Sequence, residues 1–341
     1  MDDAFSRRAL WPCLTAGVIA CLTALTSCRA GDTNPTVPTG TTTGSGSVVL
    51  NDDFGGRALF PPTNWWNQDI SAAPVDPNSI AYIAFIGATR GLHPDFGPSP
   101  YGFPYVSVDS SRPRVPVRFV AYGSESDSGF GGVTGYPIPD EARQQPNYIE
   151  GGMPGGGTDG DRHLLIVDRD RFVLYELHAT RWNAGANRWE ADSCAIFDLS
   201  SNARRPEGWT SADAAGLAIL PGLVRYEEAA SGRAIRHAFR VTVRATNGSV
   251  WPASHDAGST ASALPMGARL RLKASKDLSG YSPMIQRIFR AMQVYGLIVA
   301  DNGSDMFISG AMDNRWNNSE LNPAFAALKA SDFDVVSLGW H

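Results

Sequence analysis

Lysine is nearly absent from this chain: only Lys273, Lys276 and Lys329 accompany the arginines, and the net charge is −5. No basic block occurs, and no stripe of alternating basic and aromatic residues, so nucleic-acid binding is excluded as an expectation. Cysteine is also scarce. Of four, Cys13, Cys21 and Cys28 crowd into the N-terminal segment and Cys194 stands alone, so no internal disulfide staples the rest, and a packed core has to hold it. Beyond residue 25 no apolar run reaches membrane-spanning length. The GxSxG elbow of serine hydrolases and the HExxH of zincins are missing. The glycine-rich MPGGGTDG at 153–160 lacks the lysine and the serine or threonine of a phosphate loop, and reads as a mobile loop.

What is present begins with an address. Arg7 and Arg8 precede an apolar stretch, Ala9 to Leu25, which Pro12 interrupts, as in a secretory signal peptide. It ends in Leu25-Thr26-Ser27-Cys28, which resembles the bacterial lipobox. That likeness implies cleavage before Cys28, lipid on its sulfur, and a place in the bacterial cell envelope outside the cytoplasm, with the lipid as the only membrane contact. Ordinary signal-peptidase cleavage, with Cys28 a bystander, is the alternative. The expected organisation is a signal peptide over 1–27, a Gly/Thr/Ser/Pro tether over 28–47, and one globular domain over 48–341.

Within that domain the patterning is mainly β. YGFPYVSV, RVPVRFVAY, HLLIVD, RFVLYELHAT, DSCAIFDLSS, IRHAFRVTVRA and RLRLKAS read as strands, and LIVA and MFISG as a hairpin around DNGSD. Asn247-Gly248 reads as a tight turn into SVWPASH. Helices are expected after Asp76-Pro77, over 210–219 with Thr210 or Ser211 as cap, and over PMIQRIFRAMQVYG with Gly296 as its stop. Short strands in number with two or three short helices predict a single β-sandwich or jelly-roll-like domain. Cys194, inside a strand, reads as a buried small hydrophobe rather than a nucleophile. DNGSD offers oxygen ligands without EF-hand spacing, so a turn is the better reading there.

One hairpin carries unexpected chemistry. In DRHLLIVDRDRFVLYELHAT (161–180), a two-residue turn at Arg169-Asp170 would place His163 opposite Glu176 and Asp161 opposite His178. Leu164, Ile166, Val173, Tyr175 and Leu177 then share one core face. Leu165, Val167, Phe172 and Leu174 share the other, with Asp161, His163, Glu176 and His178 at its open end. Four ionisable groups on one face are costly to bury, which points to acid–base work by them. His163, Glu176 and His178 are also the weak candidates for a divalent metal ion; no cofactor is otherwise signalled. His237 (beside Phe239 and Val241), His255, Trp251 on the same face, Trp182, Arg181 and Arg240 are the candidate substrate contacts. Each histidine taken alone is more readily a structural residue bonded to the backbone or to Glu176.

Aromatic rings beside charged groups on a concave sheet suit sugars, whose ring faces stack while their hydroxyls hydrogen-bond. The expected function is therefore a polysaccharide-cleaving enzyme, hydrolase or lyase, with an extracellular polysaccharide as partner. The alternatives are a glycan-binding lipoprotein using Trp182, Trp189, Trp209 and Trp251, a metal-binding β-domain, or a structural envelope domain. GWTSADAAGLAILPGLVRYEE and IVADNGSDMFISGA resemble segments of uncharacterised secreted bacterial proteins. The resemblance spans much of 160–316 and brings no activity with it.

Overall fold

The computed structural model describes residues 47–341. The expected signal peptide, Cys28 and the expected tether, apart from Ser47, lie outside the described residues. Residues 47–341 form one compact unit, mainly β, with mixed sheets and five short helices among the described residues. No helix described is long and apolar enough to cross a membrane.

Two sheets carry the structure. A five-stranded sheet runs in the order Val48–Leu50, Tyr105–Val108, Leu164–Asp168, Val173–His178, Ser193–Asp198, with Tyr105–Val108 parallel to Leu164–Asp168 and the other neighbours antiparallel. A six-stranded sheet runs Phe333–Val335, Arg269–Leu272, Leu297–Asn302, Phe239–Val243, Phe307–Ser309, His93–Asp95. A smaller sheet, Val117–Phe119, Arg188–Ala191 and Arg181–Asn183, covers part of the first. The two large sheets meet where Phe103, just before Tyr105–Val108, bridges Ala311, just after Phe307–Ser309.

The hairpin expected over 161–180 is present, and both its faces are buried, which explains its nearly unbroken apolar runs. Leu164, Ile166, Val173, Tyr175 and Leu177 pack with Tyr136, Ile138, Ile149 and Trp189 in one core. Leu165, Val167, Phe172 and Leu174 enter a larger core shared with Phe239, Val241, Leu270 and Val299 of the six-stranded sheet. The register differs from the expected one by two residues. Asp168 pairs with Val173 and Leu165 with Glu176, because the turn has four residues, with Phe172 at φ 56° and Asp168 Oδ1 accepting from the Arg171 N–H at 3.1 Å. An even shift keeps every side chain on its face, but it takes His163 out of direct opposition to Glu176.

The helix Pro283–Val294 follows the sequence rule. Ser282 caps it with proline in the first position, and Ile285, Ile288, Phe289 and Met292 face the core. Gly296 follows at φ 77°, where a Cβ would crowd the Leu270 carbonyl. Three expectations fail. Residues 210–219 form no helix, because Thr210 and Ser211 hydroxyls bond to Asp213 and Leu217 backbone oxygens and so divert the chain into turns. Leu297–Asn302 and Phe307–Ser309 are not a hairpin, since Phe239–Val243 lies between them, parallel to the first and antiparallel to the second. Residues 249–255 form no strand; Ser249 bridges Met266, and His255 and Trp251 do not share a strand face. The helix Asn318–Ala327 is not among the expected elements, although Asn317 caps it with Glu320 in its first turn; Pro323 lies inside it.

Candidate active site

The hairpin's open end lies where the two sheets meet. His163 is buried there with both ring nitrogens occupied: Nδ1 is 2.6 Å from Glu150 Oε2, and Nε2 is 2.9 Å from the Ala212 carbonyl oxygen. Two acceptors require two N–H donors, so the ring is an imidazolium. Burial alone would depress its pKa, but the Glu150 charge and hydrogen bond outweigh that and hold it up to about 9. Glu150 in turn is held below its ordinary value, because His163 overcomes the penalty of burial.

His178 stands beside this cation, ring centroids 5.2 Å apart. Partial burial and the His163 charge both push its pKa down, so His178 is neutral near pH 7 and acts as an acceptor or base. Asp161, exposed, lies within electrostatic reach of both rings. Asp95, at the end of the strand that pairs with Phe307–Ser309, completes the opening. Its outer surface is exposed, but desolvation by the walls around it raises its carboxyl above the usual range, and Glu150 and Asp161 add to that; His93 and Arg240 oppose it.

Beneath lies a second charge cluster. The Arg240 guanidinium grips Asp213 with two hydrogen bonds of 2.7 Å, reaches Asp301 Oδ2 at 2.9 Å and donates to Ser309 Oγ at 2.7 Å. Burial raises the Asp301 carboxyl to about 6 against the pull of Arg240. All of Arg240's charge is spent inside the protein, which corrects its assignment as a substrate contact.

Glu176 also departs from the expectation. It is fully buried, and its two oxygens accept the N–H of Ile219 (3.0 and 2.8 Å) and of Leu220 (2.8 Å). Burial pushes it up to about 7 despite these bonds. Glu176 therefore pins the turn Leu220–Gly222 and has no face for a substrate. For the same reason no ion fits His163, Glu176 and His178: the ligand atoms of the first two are occupied, and among the described residues no group of three His, Cys, Asp or Glu side chains converges on one point. The Asp301–Asp305 turn spends its carboxylates on Arg240 and Arg244.

The remaining candidates are dispersed. Arg181 is paired with Glu190, together with Arg188. Trp182 packs edge-on against Trp189, 5.5 Å away, under the Arg143 guanidinium. Trp251 packs on Trp65 and His341, and Trp209 meets Arg205, so the four tryptophans form no single platform. His255 Nδ1 bonds to the Ala214 carbonyl oxygen. His237 bonds Glu228 and lines a separate cavity of about 800 Å³. Cys194 is buried and free, its thiol pushed up by burial.

The glycine-rich loop is packed rather than free. Gly155 and Gly156 are buried at φ 66° and 86°, and a Cβ on Gly156 would strike the Thr180 carbonyl oxygen just past His178. The loop's other side, at Gly152, lies near Ser99 and Pro100, next to exposed Tyr101. So glycine brings this loop down between Trp182 and Tyr101, beside the open end of the hairpin. Sequence reasoning missed Asp95, Glu150, Asp213 and Asp301, each separated in sequence from the hairpin. The signal for Glu150 was its place at the end of an apolar NYIE just before the glycines. No family model, curated protein or solved structure matches this chain.

Proposed function

We propose that the chain is a polysaccharide-cleaving enzyme of the bacterial cell envelope, lipid-anchored through Cys28, and that its chemistry is glycoside hydrolysis. One observation carries this reading: two exposed carboxyl groups, Asp95 and Asp161, lie within electrostatic reach of each other, with Asp95 shifted toward its acid form. Glycoside hydrolysis needs such a pair, one carboxylic acid to protonate the leaving oxygen and one carboxylate to attack or to activate water. Asp95 takes the first role and Asp161 the second. Neutral His178 accepts a hydrogen bond from a sugar hydroxyl, and the His163–Glu150 pair keeps it neutral by setting a cation against it. Exposed Tyr101 supplies a ring face at the rim. The sandwich reading of the two large sheets, supported by the core they share, belongs to the same proposal.

The test is a panel of neutral and acidic polysaccharides assayed for reducing ends and for absorbance of unsaturated products. Asp95→Asn and Asp161→Asn are each expected to lower turnover roughly 100- to 10,000-fold while leaving the melting temperature unchanged. Unsaturated products would replace hydrolysis by elimination, with His178 as the base. Cleavage that survives both substitutions sinks the carboxyl pair.

A further inference from the structure

The cavity of about 800 Å³ lies outside the carboxyl opening and has a chemistry of its own. Its buried wall is a closed relay. Arg225 and His237 both bind Glu228, His237 Nε2 at 2.9 Å from Oε2, and together they outweigh burial and hold Glu228 down at about 2. Around it stand three further arginines, Arg57, Arg233 and Arg236. None of the three makes a salt bridge to a carboxylate of the described residues, although most other arginines here are paired. Arg57 lies flat over the Phe172 ring, 3.4 Å from its centroid, which fixes its guanidinium plane. Arg233 lies against Gly56, where a Cβ would come within 3.0 Å of its Nη2. Three like charges on one concave wall repel one another, an arrangement that an anion relieves and that guanidinium forks are shaped to bind.

The same cavity offers acceptors. Asp53 and Glu227 line it, and though Glu227 is engaged by Arg315, carboxylate oxygens have further lone pairs for hydroxyl donors. A multiply charged anion such as phosphate would meet these carboxylates unfavourably. A ligand with one carboxylate and several hydroxyls would satisfy both sets of groups. We propose that this cavity binds a uronate unit of an acidic polysaccharide, its carboxylate held by Arg57, Arg233 and Arg236 and its hydroxyls by Asp53 and Glu227. The volume suits one or a few sugar rings. The inference rests on the polysaccharide reading for the polymer, but not on any catalytic role of Asp95 or Asp161.

Calorimetric titration of the protein with a trimeric uronate oligosaccharide, a neutral oligosaccharide of equal length, and inorganic phosphate tests it. The uronate trimer should bind, weaken with added salt, and lose roughly ten- to a hundredfold in affinity in the Arg233→Gln/Arg236→Gln variant. That variant should keep the parent's melting temperature, since both side chains are exposed and unpaired. Equal binding of neutral and acidic trimers, tighter binding of phosphate than of the trimer, or full affinity in the double variant would each overturn the assignment. Asp95→Asn should lose cleavage yet keep uronate binding, which separates the two sites. Uronate binding by a parent protein that cleaves no polysaccharide supports the cavity and removes the catalytic reading. Cleavage of a neutral glycan without uronate binding does the reverse.

Discussion

Two groups of arginines in this protein live under opposite rules. Arg240 is buried, and its guanidinium is answered by Asp213, Asp301 and Ser309. Arg57, Arg233 and Arg236 are exposed around a cavity and answered by no carboxylate among the described residues. Inside the fold a charge survives only when its partners replace the water it has lost. At the cavity wall water remains, so an unpaired guanidinium costs little and stays available. The sealed cluster therefore belongs to stability, and the open wall to recognition. The hairpin's open end joins the two conditions. His163 and Glu176 are sealed, while Asp161 and His178, each two residues further along the chain from them toward the open end, reach the surface.

The sharpest way to break this contrast is to remove one member of the sealed cluster. Arg240→Met would leave Asp213 buried without its counterion, and Asp213→Asn would leave Arg240 with half its partners. Each is expected to cost roughly 3–5 kcal/mol, measured by urea unfolding, because a buried charge without a partner keeps its desolvation penalty. Arg240→Met combined with Asp213→Leu should recover part of that loss, since removing both charges together leaves none unpaired. A single-variant cost under about 1 kcal/mol would show that water reaches the cluster.

Much of the architecture was legible before any coordinates. Alternation and turn chemistry marked the hairpin and its two core faces, and a 3.6-residue period marked Pro283–Val294. What failed was pairing across the chain. The hairpin read into 297–309 is split by Phe239–Val243, and nothing local to DNGSD encodes the strand that enters from sixty residues earlier. The site was legible as a place, the end of the hairpin, but not as a set of roles. Glu176 and His163 looked reactive because ionisable residues in apolar strands are costly. The structure resolves that cost with backbone N–H groups for one and Glu150 and Ala212 for the other, neither of which a periodicity can reveal. His93 shows the same limit from the other side. It falls outside the strand-rich middle of the sequence, yet it sits on the strand that carries Asp95 and stacks 4.3 Å from Phe307.

A pH titration sharpens the comparison with a smaller effect. His163 is raised from 6.5 to about 9 in the folded protein. A base whose folded pKa is raised contributes stability that is complete below the unfolded value and lost as pH climbs through the folded one. Stability should therefore fall between about pH 6.5 and 9, by roughly 3 kcal/mol if the full shift is realised. His163→Gln should flatten that slope. An unchanged slope in the variant would mean that the Glu150 pair is not the cause.

Glu176 gives the smallest and most discriminating effect, because it connects the two regions. From inside, its carboxylate holds the N–H groups of Ile219 and Leu220; on the far side of that turn, Pro221 lines the arginine cavity and Arg225 reaches the Leu220 carbonyl. Glu176→Gln keeps one acceptor oxygen but turns an NH₂ group toward an N–H, so one buried bond is lost and a donor faces a donor. The expected cost is roughly 1–3 kcal/mol. It should depend on pH in a direction that the structure fixes. Burial raises Glu176 from 4.5 to about 7, so the parent's stability from this group is complete below pH 4.5 and lost as pH rises through 7. The parent–variant difference should accordingly shrink across that interval. If Glu176 only pins the turn, folded Glu176→Gln keeps its turnover, while uronate affinity weakens as Pro221 and Arg225 loosen. A variant that is fully stable yet inactive would return Glu176 to the chemistry and leave the turn to be held by something else.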